Sequence, residues 1–355
     1  MRGTLLAVVL GVVLSFGPAH ADPEVAGLPR RAGAHDEAYP GVRVRYESVR
    51  DANSRRLRLV LTQPETGGPW ALIFVAGWLS CDTVEAPPGT MEAPQLVFQA
   101  LAQLPGFTTA RLDKPGVGDS EGDCAQTDFN SELDDYRRAF RQVRADPAVD
   151  ARRVFILGLS NGAGFAPLVA ESAEVRGYVV IGGWLKTWYE HMLEIERRRL
   201  VLAGHPSADI NPLMQQVEAL YSAYLLKGES PAQIFARQPA LQALWEGPPA
   251  QQYGRPIAYY QQLQALNLMQ VWSQVRAPLL ALHGEFDWIM SRADLETMAA
   301  LVNANSPGRA TFAELPATGH TFEHYASAAQ AFAGRAEAFD ATIAQRVSAW
   351  FMEHR

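Results

Sequence analysis

The stretch RRVFILGLSNGAGFAPLVA (Arg152–Ala170) constrains the chain most. The apolar run VFIL reads as a buried strand, and the residues from about Asn161 to Glu171 read as a helix. Between them stands Gly158-Leu159-Ser160-Asn161-Gly162. A strand that turns directly into a helix leaves no room for bulk beside the turning residue, which requires Gly158 and Gly162. The same turn pushes the Ser160 hydroxyl above the carboxyl edge of the sheet, where open α/β sheets keep their ligands. It also sets the N–H of Asn161 at a helix N-terminus, a place that favours an anionic oxygen.

A serine hydroxyl is a poor nucleophile and needs a base, which in turn needs an orienting acid. The expected chain order is serine, acid, histidine. LLALHGEFDWIM supplies Asp287 after an apolar strand, and FAELPATGHTFEH supplies His320 in a loop near the C-terminus. Glu285 and Asp294 are the alternative acids, and His324 the alternative base. His283 ends a strand and supports its loop, while His191 and His205 read as structural. A second oxyanion donor is expected from GWLSCDTVE, after the strand WALIFVAG. Its candidate is the N–H of Trp78, with Leu79 as fallback.

The rest of the chain alternates strand and helix, which predicts a mostly parallel, doubly wound α/β sheet. VRVRYESV (Val42–Val49) and RRLRLVLTQP (Arg55–Pro64) alternate as two antiparallel strands. DFNSELDDYRRAFRQVRAD is an amphipathic helix with Leu133, Tyr136, Phe140 and Val143 on one face. Residues 22–40 read as a loose arm. From Trp184 to about Tyr260 the rhythm breaks into a helical insertion, expected to cap the sheet. Its aromatics include Trp184 and Trp188, candidates for lining a substrate pocket. The expected division is a leader over 1–21, a core over 22–183 and 261–355, and a cap over 184–260.

The leader follows from Arg2, the apolar run Leu5–Phe16, a Gly17-Pro18 break and Ala19-His20-Ala21, a small-residue cleavage pattern. An uncleaved anchor is the alternative; cleavage leaves no membrane anchor and a periplasmic or secreted chain. In that compartment thiols pair, and Cys81 and Cys124 are the only two cysteines. Both follow loops at the carboxyl edge of the sheet, so a Cys81–Cys124 disulfide beside Ser160 is expected. With 31 basic against 38 acidic residues, nothing suggests nucleic acid. No metal-spaced ligand set and no cofactor motif is present. Oligomeric state is not legible.

With GLSNG, HGEFD, TGH and the loop RLDKPGVGDSEG (Arg111–Gly122), the chain resembles the α/β-hydrolase superfamily over nearly its whole mature length. It is similar to exported bacterial hydrolases of the serine aminopeptidase and acylglycerol-lipase-like group. Two departures stand at the serine: Asn161-Gly162-Ala163 replaces the common Met-Gly-Gly, and Leu159 replaces the common histidine. The resemblance implies a serine hydrolase acting on a small carboxylic ester, with the DKPGVGDSEG loop structural. A peptidase or thioesterase on the same scaffold, and a non-catalytic binding protein, are the rival readings. The peptidase would need cap acids such as Glu190, Glu194, Glu196 or Glu218 to hold an ammonium group.

Overall fold

A computed structural model describes residue 28, residues 36–90 and residues 93–355; the expected leader lies outside the described residues. Strand β1 (Val42–Arg50) pairs antiparallel with β2 (Arg56–Pro64), in register from Val42 opposite Pro64 to Arg50 opposite Arg56. Asp51 closes their turn, its carboxylate accepting the N–H groups of Asn53 and Arg55 at 2.8 Å. Strand β3 (Trp70–Ala76) is buried past its first residue, as expected of an apolar strand covered on both faces. Then follow α1 (Ala93–Ala102), β4 (Phe107–Leu112), α2 (Phe129–Arg144), β5 (Val149–Leu159), α3 (Asn161–Ala170) and β6 (Gly177–Ile181).

Between β6 and the next sheet strand lie α4 (Trp188–Leu202), α5 (Ser207–Tyr221) and α6 (Pro231–Arg237). A short ribbon, β7 (Gln251–Gln252) with β8 (Arg255–Pro256), precedes α7 (Ile257–Gln264) and α8 (Leu268–Ser273). Tyr260 falls inside α7, and α7 is stitched to the start of α2: Asn130 N–H donates to Gln262 Oε1 over 2.8 Å. The chain re-enters the sheet with β9 (Leu279–Gly284), then α9 (Arg292–Asn305) and β10 (Ala310–Leu315). A last ribbon, β11 (Glu323–His324) with β12 (Ala338–Phe339), brackets α10 (Ala328–Phe332), and α11 (Ala341–His354) closes the chain.

The eight strands lie in the order β1-β2-β4-β3-β5-β6-β9-β10. Every pairing from β4 to β10 is parallel, and β2 alone runs against the rest. This is the α/β-hydrolase arrangement. The order reverses between β3 and β5, so the loops leaving their carboxyl ends meet at the switch point where such sheets bind ligands. One core lies under α2, α3, α8 and α9; the other packs Val97, Phe98 and Leu101 of α1 against Val347 and Phe351 of α11.

Two buried ion clusters brace the antiparallel edge. Arg58 of β2 is enclosed by Asp113, Asp119 and Glu85, and Asp113 also accepts the Val84 N–H at 2.9 Å. Gly118, at φ 51°, presses against Arg58 and Asp113, where a side chain would not fit. The RLDKPGVGDSEG loop is therefore built around one buried guanidinium. Arg111 of β4 is neutralised by Glu37, whose Oε2 lies 2.6 Å from Nη2. This corrects the expected loose arm: over 36–40 it is anchored, because a buried arginine needs a counter-charge.

The cysteines follow the same edge. Cys81, in the loop after β3, is bonded to Cys124, after the β4 loop, with Cα atoms 5.9 Å apart.

Candidate active site

Ser160 sits between β5 and α3 with φ 53° and ψ −120°, a conformation that costs a non-glycine residue about 1–3 kcal/mol. Its N–H donates to Ile181 O on the neighbouring strand over 2.9 Å. The flanking glycines are sterically required. A Cβ on Gly158 would lie 2.7 Å from Ala163 Cα, and one on Gly162 would run into the Ala76 and Gly77 carbonyls. The helix thus starts directly against the end of β3.

The Ser160 Oγ lies 2.9 Å from His320 Nε2, and His320 Nδ1 lies 2.8 Å from Asp287 Oδ2. The other carboxylate oxygen of Asp287 accepts the N–H groups of Ile289 and Met290, each at 2.9 Å. Gly182, at φ 58°, lets the backbone after β6 pass close to this pair; a Cβ there would be 3.2 Å from Asp287 Oδ2. Burial pulls the His320 imidazole pKa down, but the charge and hydrogen bond of Asp287 outweigh it and leave it raised. Burial pushes the Asp287 carboxyl up, and His320 more than reverses that, so it is lowered.

The alternative residues are engaged elsewhere. Glu285 accepts the Ala317 N–H at 2.7 Å, Asp294 pairs with Lys186 at 3.3 Å, and His324 pairs with Asp340 at 3.3 Å. His283 is buried, 3.9 Å from Glu314. His205 is exposed, whereas His191 is buried against Trp188 and burial drives its pKa down to about 3, so it stays neutral.

Asn161 opens α3, and its N–H therefore has no acceptor one turn back in the helix. Its side chain is fully used: Oδ1 accepts from Trp184 Nε1 and Nδ2 donates to Tyr259 Oη, both at 2.9 Å. In the loop after β3, the Gly77 N–H donates to Tyr136 Oη over 3.1 Å, and the Trp78 carbonyl accepts from Lys114. Trp78 and Leu79 both face the cavity over Ser160, and the Trp78 ring stacks on Phe98.

That cavity has a volume of about 930 Å³ and runs from Ser160 and His320 up under the inserted helices. Trp188, Met192 and Ile195 of α4 form one wall; Trp288, Ile289 and Met290 form another. Trp184 is a correction. It is fully buried, does not line the cavity, and packs edge-on under Trp188 with ring centres 4.9 Å apart. Its indole N–H is committed to Asn161, which draws it beneath the floor. Of the four acids weighed for an ammonium group, Glu196 lines the cavity and is paired with Arg199 at 2.6 Å; Glu246 of the insertion lines it as well. Glu190 closes the capping box of α4, Glu194 binds Lys186, and Glu218 is exposed.

Among the described residues, no three His, Cys, Asp or Glu side chains gather as a metal site. No described helix is long and apolar enough to cross a membrane. The residues that sequence reasoning missed lie one layer below: Lys114, Glu132 and Arg255, all buried, together with Tyr259, which the sequence offers as a cap aromatic for the pocket but which is buried beneath it. Glu132 carried a signal, a carboxylate on the apolar stripe of α2 between Phe129 and Leu133.

A sheet of this order with a strained serine turn at its switch point defines the α/β-hydrolase superfamily. The family model described as serine aminopeptidase, S33, matches residues 90–328, well over half of the 355 residues, and the chain belongs to that family of hydrolases. No curated protein matches the chain in sequence. An esterase of Pyrococcus furiosus shares the fold with a TM-score of 0.52 at 14% identity, over 94% of this chain and 98% of that one. Est1E from Butyrivibrio proteoclasticus, with ferulic acid bound, gives 0.55 at 13% identity, over 86% and 98%. The esterase domain of a Rhodothermus marinus protein gives 0.51 at 16% identity, over 87% and 97%. At these identities the likeness is one of fold.

Proposed function

We propose that the chain is an exported serine hydrolase that cleaves small carboxylic esters through an acyl-enzyme. The observation that carries this reading is the unbroken hydrogen-bond chain from Asp287 through His320 to Ser160 at the floor of the cavity. Ser160 Oγ attacks the acyl carbon while His320 Nε2 takes its proton. Asp287 holds the Nδ1–H tautomer and stabilises the imidazolium. The carbonyl oxygen becomes an anion between the N–H groups of Asn161 and Trp78. His320 then returns the proton to the leaving alcohol, and water activated by the same imidazole releases the acid.

The apolar walls at Trp188, Met192, Trp288 and Ile289 suit an apolar or aromatic acyl group. A peptidase reading would need a carboxylate for an ammonium group; Glu196 is already paired with Arg199, while Glu246 also lines the cavity, so that rival turns on nitroanilide cleavage. Export is supported by the disulfide together with the leader pattern of the sequence.

The test is turnover of nitrophenyl esters of increasing acyl length against amino-acid nitroanilides, with fluorophosphonate labelling. Ester turnover and labelling, both lost in Ser160→Ala, support the reading. Preferential nitroanilide cleavage refutes the ester assignment, and absence of labelling refutes the serine.

A further inference from the structure

Beneath the cavity lies a cluster of buried charge that the steps above do not use. Glu132, Lys114 and Arg255 are 1%, 5% and 0% exposed. A buried carboxylate is costly unless it is paired, and helix packing gives no reason to place one on the apolar stripe of α2. Its two oxygens meet three partners. Arg255 contacts Oε2, the Tyr259 hydroxyl donates to Oε1 over 3.2 Å, and Lys114 Nζ lies 3.9 Å from Oε1.

Two of those partners run on to the site. Tyr259 Oη accepts from Asn161 Nδ2 at 2.9 Å. Lys114 Nζ donates to the Trp78 carbonyl and, over 2.7 Å, to the Ser80 carbonyl. Asn161 and Trp78 are the two residues whose N–H groups are assigned to the oxyanion. One buried carboxylate therefore reaches both residues that carry the donors: the Asn161 side chain through Tyr259, and the Trp78 carbonyl through Lys114.

We infer that Glu132 is a positioning residue that sets the two oxyanion donors, Asn161 through Tyr259 and Trp78 through Lys114. The inference rests on the ester-hydrolase reading. Such donors act only when already placed about 2.7–3.1 Å from the developing anion. The loop after β3 has no helix or strand to orient its peptides, so what grips it at Trp78 sets them: the Trp78 carbonyl shares its peptide plane with the Leu79 N–H, and pinning it fixes the backbone directly after the Trp78 N–H. Lys114 does so from below. Burial holds its ammonium pKa down to about 8, with Glu132 opposing that fall and Arg255 adding to it. Without Glu132, Lys114 loses its counter-charge and Tyr259 its acceptor, and both donors loosen together.

The experiment compares full-length wild type with E132Q, Y259F and K114M. The readouts are kcat and KM on p-nitrophenyl butyrate and Ki for phenylboronic acid, whose tetrahedral adduct on Ser160 occupies the oxyanion position. Losing a donor outright costs about 10²–10³ in kcat. A displaced donor costs less, so Y259F and K114M should each lower kcat about tenfold and raise Ki about tenfold. KM should stay within about twofold, since ground-state binding is untouched. E132Q should match the double variant Y259F/K114M. If E132Q does not fold because Arg255 is left unpaired, the two milder variants decide. Folded Y259F and K114M with wild-type kcat and Ki overturn the inference, as does a raised KM at constant kcat. Ser160→Ala in parallel separates the two failures: an active Ser160→Ala sinks the hydrolase reading, and an inactive one beside unaffected positioning variants sinks this inference alone.

Discussion

Both oxygens of the Asp287 carboxylate are committed, one to His320 Nδ1 at 2.8 Å and the other to the N–H groups of Ile289 and Met290. The carboxylate is fixed in two directions, and through it the imidazole plane. Asp287→Asn keeps the shape but offers an N–H where an acceptor is needed, forcing the wrong tautomer. Turnover should fall about 10³–10⁴-fold with KM little changed. Steady-state kinetics on a nitrophenyl ester check this. Near-normal rates would remove Asp287 from its role.

The same pair sets a pH dependence. In the proposed mechanism His320 serves as a base only when neutral, and its pKa is raised by Asp287 against the pull of burial. Activity should therefore fall on the acid side with a midpoint above the ordinary histidine value of about 6.5. The stability sign runs the other way. A raised folded-state pKa contributes stability present below the unfolded value and lost as pH rises through the folded one. A profile of kcat/KM against pH should show the acid limb, displaced downward in any residual activity of Asp287→Asn.

The Cys81–Cys124 bridge spans 43 residues and anchors the loop that carries Trp78. Arg255 rests against its sulfurs, so the bridge also backs the buried cluster. Chain-entropy reasoning gives an upper estimate of about 4 kcal/mol for such a closure. Cys81→Ser should lower the melting temperature and depress kcat more than it raises KM. Peptide mapping without reductant tests the bond, and two free thiols in protein purified from an oxidising compartment would contradict that role.

Trp184 and Trp188 are four residues apart but should behave differently. Trp188 lines the cavity, so Trp188→Ala should change relative rates along an ester chain-length series. Trp184 is fully buried and bonded to Asn161. Its replacement by alanine should cost about 3–5 kcal/mol of stability. Trp188 is itself only 2% exposed and should lose stability on replacement too, so the ester series distinguishes them: a Trp184→Ala that shifts the chain-length profile as much as Trp188→Ala would refute the division.

Arg58 is closed in by three carboxylates, of which Asp113 also orders the Val84 backbone. Arg58→Met should destabilise the fold by about 3–5 kcal/mol, because it leaves buried acids unpaired. A urea midpoint close to wild type would show that this cluster is better solvated than its burial implies.

By itself the sequence determined the features whose causes are local. Alternating apolar runs and amphipathic helices settle the sheet class, because burial on two faces or one leaves a readable period. The position of Ser160 at a strand–helix junction follows from steric need, since Gly158 and Gly162 face backbone that tolerates no side chain. The pairing of Cys81 with Cys124 follows from there being no other thiol. What only the tertiary structure decided are the pairings of buried charge. Glu37 meets Arg111 across 74 residues, Glu132 meets Arg255 across 123, and Tyr259 meets Glu132 across 127. No local propensity encodes such partners; each carboxylate only announces that a counter-charge must exist somewhere. The same holds for Trp184. Composition can call for an aromatic in the insertion, but whether it walls the cavity or supports Asn161 from beneath depends on where α4 crosses the sheet edge.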